Sequence, residues 1–267
     1  MITGSQIQEF SQNGAVLLKN AFASKWLSLL AEGIEKNRKD PGPFACQYTP
    51  ADKEGDFYDD YCNWNRFDEY RDFLFNSPAA EIAGRITKSA QVRIFHEHIL
   101  VKEPKTSERT PWPHDPPYYC VDGEQVCSIW LPLDPVPREA GLEFIAGSHA
   151  WGKMFMPKKF LTNKEYAYKP GSFDSIPDIE ANRDQYEILS WDLELGDCIV
   201  FHFKTLHGGA GNLSQRARRR AFSSRWIGDD AVFADRSGET SPPFPELSSF
   251  KQGDVLDHPL FPVCWKS

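Results

Sequence analysis

A mainly β protein with flanking helices and a jelly-roll core is the fold this sequence predicts. Three observations carry the prediction. From Gln91 onward, short apolar stretches alternate with polar residues at period two and are separated by turn signals. Before about residue 90, apolar residues instead recur at helical spacing. The aromatic content of 13%, with 20 prolines and 18 glycines in 267 residues, suits strands joined by turns better than a helical bundle.

The N-terminal part reads as helices that cover a sheet. Ser5 to Phe10 forms a short helix, followed by a strand over Ala15 to Leu18. Ser24 is placed as the N-cap of a helix with Trp26, Leu27, Leu29, Leu30 and Ile34 on its apolar stripe. Another helix covers Asp68 to Phe75. Ser77-Pro78 opens a further one through Ala79, Ile82, Ala83 and Ile86, because proline suits a first helical turn.

In Val92 to Lys102 the even positions put Ile94, His96, His98, Leu100 and Lys102 on one strand face. That face is either the polar interior of a barrel or a solvent stripe with Phe95, Ile99 and Val101 packed behind it. Further strands are expected at Gln125 to Leu131, Leu142 to Ile145, Tyr186 to Ser190, Asp197 to Thr205 and Arg219 to Ile227. Turns at Asp122-Gly123, Gly147-Ser148, Leu195 to Asp197 and Gly208-Gly209 separate them. The lysine-rich excursion from about 153 to 185 is either an active-site lid or decoration.

No linker, charge block or repeat divides the chain. One domain over 1–267 is therefore expected: a helical part to about 90, a core over about 91–230, and a C-terminal extension over 231–267. A net charge of −8 provides no basic footprint for nucleic acid or a membrane surface, so neither partner is expected. The N-terminus MITGSQIQEF lacks a basic start and apolar run, which points to a cytoplasmic protein. Six scattered cysteines lack the close pairs of a zinc site and read as free, mostly buried thiols.

The segment Thr110 to Gly123, TPWPHDPPYYCVDG, contains His114 beside Asp115. His207 follows 207 − 115 = 92 residues later, and Arg218 lies 218 − 207 = 11 residues beyond that. Fe(II) that must admit O₂ and a chelating co-substrate keeps about three positions open, so two imidazoles and one carboxylate on one face suit it. A β-barrel brings such remote residues side by side.

In order and spacing, WPHDPPYYCVDG, SIWLPLDPV, LEFIAGSHAWG, LELGDCIVFHFKTLHGGAGN and RRRAFSSRWIGDD resemble the phytanoyl-CoA dioxygenase family of Fe(II)- and 2-oxoglutarate-dependent oxygenases. The resemblance implies a double-stranded β-helix of the cupin-like jelly-roll type, with N-terminal helices packed on one sheet. It also implies Fe(II), 2-oxoglutarate and O₂ as cofactor and co-substrates, and hydroxylation of an unactivated C–H bond with release of succinate and CO₂.

By this resemblance Asp115 and His207 are metal ligands, Arg218 anchors the far carboxylate of 2-oxoglutarate, and Lys102 and Ser128 assist it. Pro113 occupies the family's first-histidine position. Three outcomes stay open: His114 supplies the imidazole, Asp115 and His207 hold the iron alone, or the chemistry is lost. His114 is taken here as the third ligand. Tyr118, Tyr119, Trp130, His96, His98 and Arg225 are the candidate substrate residues, suited to a small polar or anionic metabolite. His149 is assigned to a turn, and His202 is expected to face away from the iron. A non-oxidative isomerase or binding protein with a degenerate metal site is the alternative, and a carbohydrate-binding jelly roll a third reading. Halogenation is disfavoured because Asp115 occupies the position a halide would need.

Overall fold

A computed structural model of the protein describes residues 2–110, 112, 114–157, 168, 173–236 and 238–267. Pro113, and residues 158–167 and 169–172 of the 153–185 excursion on which the lid expectation falls, lie outside the described residues.

In chain order the elements are α1 (Gly4–Asn13), β1 (Ala15–Leu18), α2 (Ser24–Lys39), β2 (Cys46–Gln47), β3 (Phe57–Tyr61), α3 (Asp68–Asn76), α4 (Ala79–Thr87) and β4 (Gln91–Lys102). There follow β5 (Val121–Asp122), β6 (Val126–Pro132), β7 (Leu142–Ile145), β8 (Ile188–Leu189), β9 (Cys198–Phe201), β10 (His207–Gly209), β11 (Arg219–Ile227), β12 (Val232–Phe233) and β13 (Val263–Lys266). The large antiparallel sheet has the order β1-β9-β6-β11-β4-β3-β2, with β13 also paired to β4. A smaller sheet, β10-β7-β8, completes the jelly roll.

Helix ends follow local chemistry. Thr3 and Gln6 form a capping box at the start of α1. Gly14 closes the helix with φ +75°, and a Cβ there would meet His149 Nδ1 and Thr205 Oγ1 at 2.4 Å each. The expected cap at Ser24 is displaced by one residue: Ala23 is the N-cap of α2 and supplies no side-chain bond, so Ser24 is already helical.

Each face of the large sheet has its own core. Val16, Leu18, Ile99, Val101, Ile129, Leu131, Val200 and Phe222 point outward and pack with Leu27, Leu30, Ile34, Phe73 and Ile82 of the helices. The opposite parity, Ala15, Trp130, Ile199, Phe201 and Ala221, packs inside the roll with Leu142 and Phe144. Alternation along each strand thus divides the sheet between a helix-covered face and an interior.

Several sequence expectations change in tertiary context. Ile94 does not share the face of His96. The register slips between Arg225 and Trp226 opposite β4, so Phe95 is the bulged residue and Ile94 joins the helix-side core. The expected strand from Asp197 to Thr205 ends at Phe201, and only Ile188–Leu189 remains of the stretch from Tyr186 to Ser190. The six cysteines are free, as expected, with three of them buried. Strands β2 and β3, β5, and the C-terminal β12 and β13 were not foreseen. No described helix is long and apolar enough to cross a membrane.

Glu97 faces the helix side, fully buried. Its Oε1 accepts the Asn63 N–H, while Oε2 has no partner. Burial pushes this carboxyl up to about 8 from its ordinary 4.5. Between those values the folded protein retains a proton that the unfolded chain has released. The stabilising contribution is therefore complete below the lower value and lost as pH rises through the higher one, at up to about 1.4 kcal/mol per pH unit. Glu97→Gln should flatten the decline in unfolding free energy between pH 5 and 8, as read from denaturant titrations at several pH values. An unchanged slope would show that Glu97 is not its source.

Candidate active site

Register decides what the interior contains. Across the inner face, Lys102 of β4 lies opposite Arg219 of β11, Leu100 opposite Ala221, His98 opposite Ser223, and His96 opposite Arg225. On one flank, β3 sets Phe57 against Lys102, Asp59 against Leu100 and Tyr61 against His98. On the other, β6 sets Trp130 against Ser223 and Ser128 against Arg225. The polar face of β4 is thus interior, which resolves the choice left open by periodicity. A cavity of about 380 Å³ opens at its centre, lined among others by Asp59, Tyr61, His96, His98, Asp115, Tyr118, Tyr119, Trp130, His207 and Arg225.

Asp115 and His207 reach the cavity from loops stitched to each other. Thr110 pairs with Gly209, the Asp115 N–H donates to the Phe203 carbonyl at 3.0 Å, and β10 pairs with β7 through His207 and Phe144. Asp115 is 2% exposed; its Oδ1 accepts the Tyr118 hydroxyl at 2.6 Å, and its Oδ2 has no partner. The His207 Nδ1–H donates to the Thr205 carbonyl at 2.9 Å, which leaves the Nε2 lone pair free for a ligand.

His114 does not join them. Its Nε2 accepts the Phe155 N–H at 2.8 Å, and its Nδ1 faces the Lys204 carbonyl at 3.4 Å, so both ring nitrogens serve backbone groups. Burial lowers its pKa to about 4, keeping the ring neutral in that role. The expected ligand role fails because a neighbour of Asp115 points away from the cavity and is held there by the 152–157 segment.

Arg218 is likewise displaced. It projects to the helix side and pairs with Glu35 at 3.0 Å and Glu103 at 2.8 Å. Counting through a loop does not fix strand parity, and a one-residue shift exchanges the two faces. Arg219 is the inward residue. Its guanidinium donates to the Ala140 and Ala210 carbonyls, beside Lys102, whose Nζ donates to the Glu108 and Ala210 carbonyls. Neither cation has a carboxylate hydrogen-bond or ion-pair partner among the described residues. Burial lowers the Arg219 pKa to about 10 and the Lys102 pKa well below its usual range. Ser128 lies on the same face with a buried, unpartnered Oγ.

All six proposed substrate residues line the cavity. His96 is fully buried, and desolvation, reinforced by Arg225 and His98, holds its pKa far below the usual histidine range. His149 bonds the Ser11 carbonyl, and His202 bonds the Glu124 carbonyl; neither lines the cavity. Asp59 and Tyr61 were missed, although FYDDY carries the signal: alternation sends Asp59 inward and Asp60 outward, where Asp60 bonds Asn37 and Gly42. The 239–243 segment also lines the cavity, and no local pattern announced it.

Among solved structures, the α-ketoglutarate-dependent carbocyclase SnoK from nogalamycin biosynthesis matches with TM-score 0.77 and 20% identity, over 98% of this chain and 96% of its own. The epimerase SnoN, in complex with Fe³⁺, α-ketoglutarate and nogalamycin RO, matches at TM-score 0.76 and 16% identity over 98% of both chains. EvdO2 from Micromonospora carbonacea var. aurantiaca, complexed with 2-oxoglutarate, follows at TM-score 0.63 and 19% identity over 90% of this chain and 97% of its own. At such identities the likeness establishes the jelly-roll fold. No curated protein sequence matches the chain. The phytanoyl-CoA dioxygenase family model matches residues 10–221, from α1 to the start of β11, and includes the Asp115 loop and His207. The chain therefore belongs to the phytanoyl-CoA dioxygenase family.

Proposed function

We propose that this protein is an Fe(II)- and 2-oxoglutarate-dependent oxygenase that hydroxylates a small polar or anionic metabolite, releasing succinate and CO₂. The observation that carries the reading is the pair at the cavity: Asp115 Oδ2, buried without a partner, and His207, whose bond to Thr205 leaves Nε2 available. When bound, the metal would supply O₂ activation coupled to decarboxylation of 2-oxoglutarate.

The donor set fits such an ion in part. Among the described residues no group of three His, Cys, Asp or Glu side chains is arranged to hold a metal, and Pro113 lies outside them. Asp115 and His207 would therefore hold the ion alone, with Tyr118 orienting the carboxylate. Lys102 and Arg219 would take the far carboxylate of 2-oxoglutarate. They face each other across a ladder, and a bound anion would favour the protonated form of Lys102 that burial and Arg219 disfavour.

A second reading, a non-oxidative isomerase or binding protein with a degenerate metal site, is favoured by the backbone-bound His114 ring. Anaerobic addition of Fe(II) and 2-oxoglutarate distinguishes the two. An intact site produces a visible metal-to-ligand charge-transfer band, which His207→Ala should abolish along with succinate formation. A wild-type protein without the band, in which Pro113→His creates one, would favour the second reading.

Titrating that band should also separate the neighbouring arginines. Arg219→Ala should weaken 2-oxoglutarate binding about tenfold or more, the scale of a lost charge-assisted contact, while Arg218→Ala changes it less than about twofold. The opposite ranking would return the anchor to Arg218.

A further inference from the structure

A chain of buried polar groups crosses the cavity wall beyond Asp115 and His207. Asp59 Oδ2 accepts the Tyr48 hydroxyl at 2.9 Å and His98 Nε2–H at 2.8 Å. A carboxylate only accepts, so His98 carries its proton on Nε2, and its Nδ1 takes an Arg225 Nη2–H at 3.4 Å. Arg225 also donates from Nε to the Tyr119 hydroxyl at 2.8 Å and from Nη1 to the Ser223 carbonyl at 2.9 Å. The imidazole thus lies between a buried acid and a buried guanidinium.

Each end of this chain keeps unused bonding capacity. Asp59 is 1% exposed and lines the cavity, and its Oδ1 has no partner. Arg225 is 8% exposed, and its three bonds leave 5 − 3 = 2 of its N–H groups unengaged. His96, the register partner of Arg225, has an unpartnered Nδ1. Buried polar atoms without partners are costly and uncommon, and here they belong to residues that line the cavity.

Charge selects the occupant. An anion without a cationic group would engage Arg225 but add repulsion against the open oxygen of Asp59. A simple amine would satisfy Asp59 and leave Arg225 unmatched. We propose that the cavity binds a small zwitterion, its ammonium on Asp59 Oδ1 and its carboxylate on Arg225, so that both buried charges are paired. A cavity of about 380 Å³ admits a body of amino-acid size beside a co-substrate, with Tyr61 and Trp130 as apolar walls. The inference deepens the oxygenase reading above and rests on it for the identity of the reaction, although the binding claim is measured separately.

The experiment is calorimetric titration of the full chain, loaded with Mn(II) and 2-oxoglutarate. The titrants are the twenty proteinogenic amino acids, the deaminated acid of each, and its α-carboxamide. At least one amino acid should bind, with its deaminated and carboxamide forms weaker by about tenfold or more. Asp59→Asn should remove the preference for the amino group, and Arg225→Gln the preference for the carboxylate. Near-ultraviolet circular dichroism verifies that each variant is folded; if Arg225→Gln is not, Arg225→Lys, which keeps a charge but loses the fork of N–H donors, should weaken the preference for the carboxylate without removing it. Deaminated acids that bind as well as their amino acids, or a panel in which no amino acid binds, would overturn the proposal. In either case the anaerobic charge-transfer band of wild type tells which reading has failed. If the band is present, only the zwitterion inference falls; if it is absent, the oxygenase reading falls as well.

Discussion

The antiparallel register between β4 and β11 is the constraint on which the rest of the structure depends. Lys102 opposite Arg219 and His96 opposite Arg225 determine which side chains of the two central strands enter the roll. Because strand parity is two, one step of slippage would replace Lys102, His98 and His96 with Val101, Ile99 and Glu97, and the cavity would lose both β4 histidines from its wall. The outward parity is held equally firmly by Phe222, Val101 and Ile99 against the helices, so burying one face specifies the other.

Polar groups are distributed along that inner face in a graded way. At one end Lys102 and Arg219 donate to carbonyl oxygens, with the Lys102 Nζ also over the Phe57 ring. In the middle, loops bring Asp115 and His207 to the cavity with one oxygen and one nitrogen unengaged. At the other end Asp59 and Arg225 are separated by His98 instead of neutralising each other. Each group is held by neighbours that fix its rotamer or tautomer, such as Tyr118 for Asp115 and the Thr205 carbonyl for His207. The site is therefore largely formed before any ligand arrives.

Much of the fold was legible because its signals are local and repeated. Four N-terminal helices, the jelly-roll class and the long strand ending at Lys102 all follow from periodicity and turn residues. The site was legible in part. Asp115, His207 and the six substrate candidates do line one cavity, since motif order carries information across many residues. Two placements changed for different reasons: Arg218 was placed by its offset from His207 through a loop, and His114 by its place next to Asp115, where a bend at the flanking prolines would have been needed to bring it to the same side. Loop geometry, not residue number, sets which face the next side chain takes. Asp59 was overlooked because a five-residue strand inside a polar stretch is a weak signal until its partner β4 is known.

By itself, then, the sequence determined the class of fold, the family and the types of side chain available, because hydrophobic periodicity and ordered motifs are properties of the chain alone. Only the tertiary structure decided that Arg219 and not Arg218 turns inward, that His114 serves the backbone, and that Asp59 and Arg225 share a cavity without touching. Those outcomes depend on register, on a bulge at Phe95 and on hydrogen bonds between segments as far apart as His114 and Phe155. Such contacts exist only once the strands have paired.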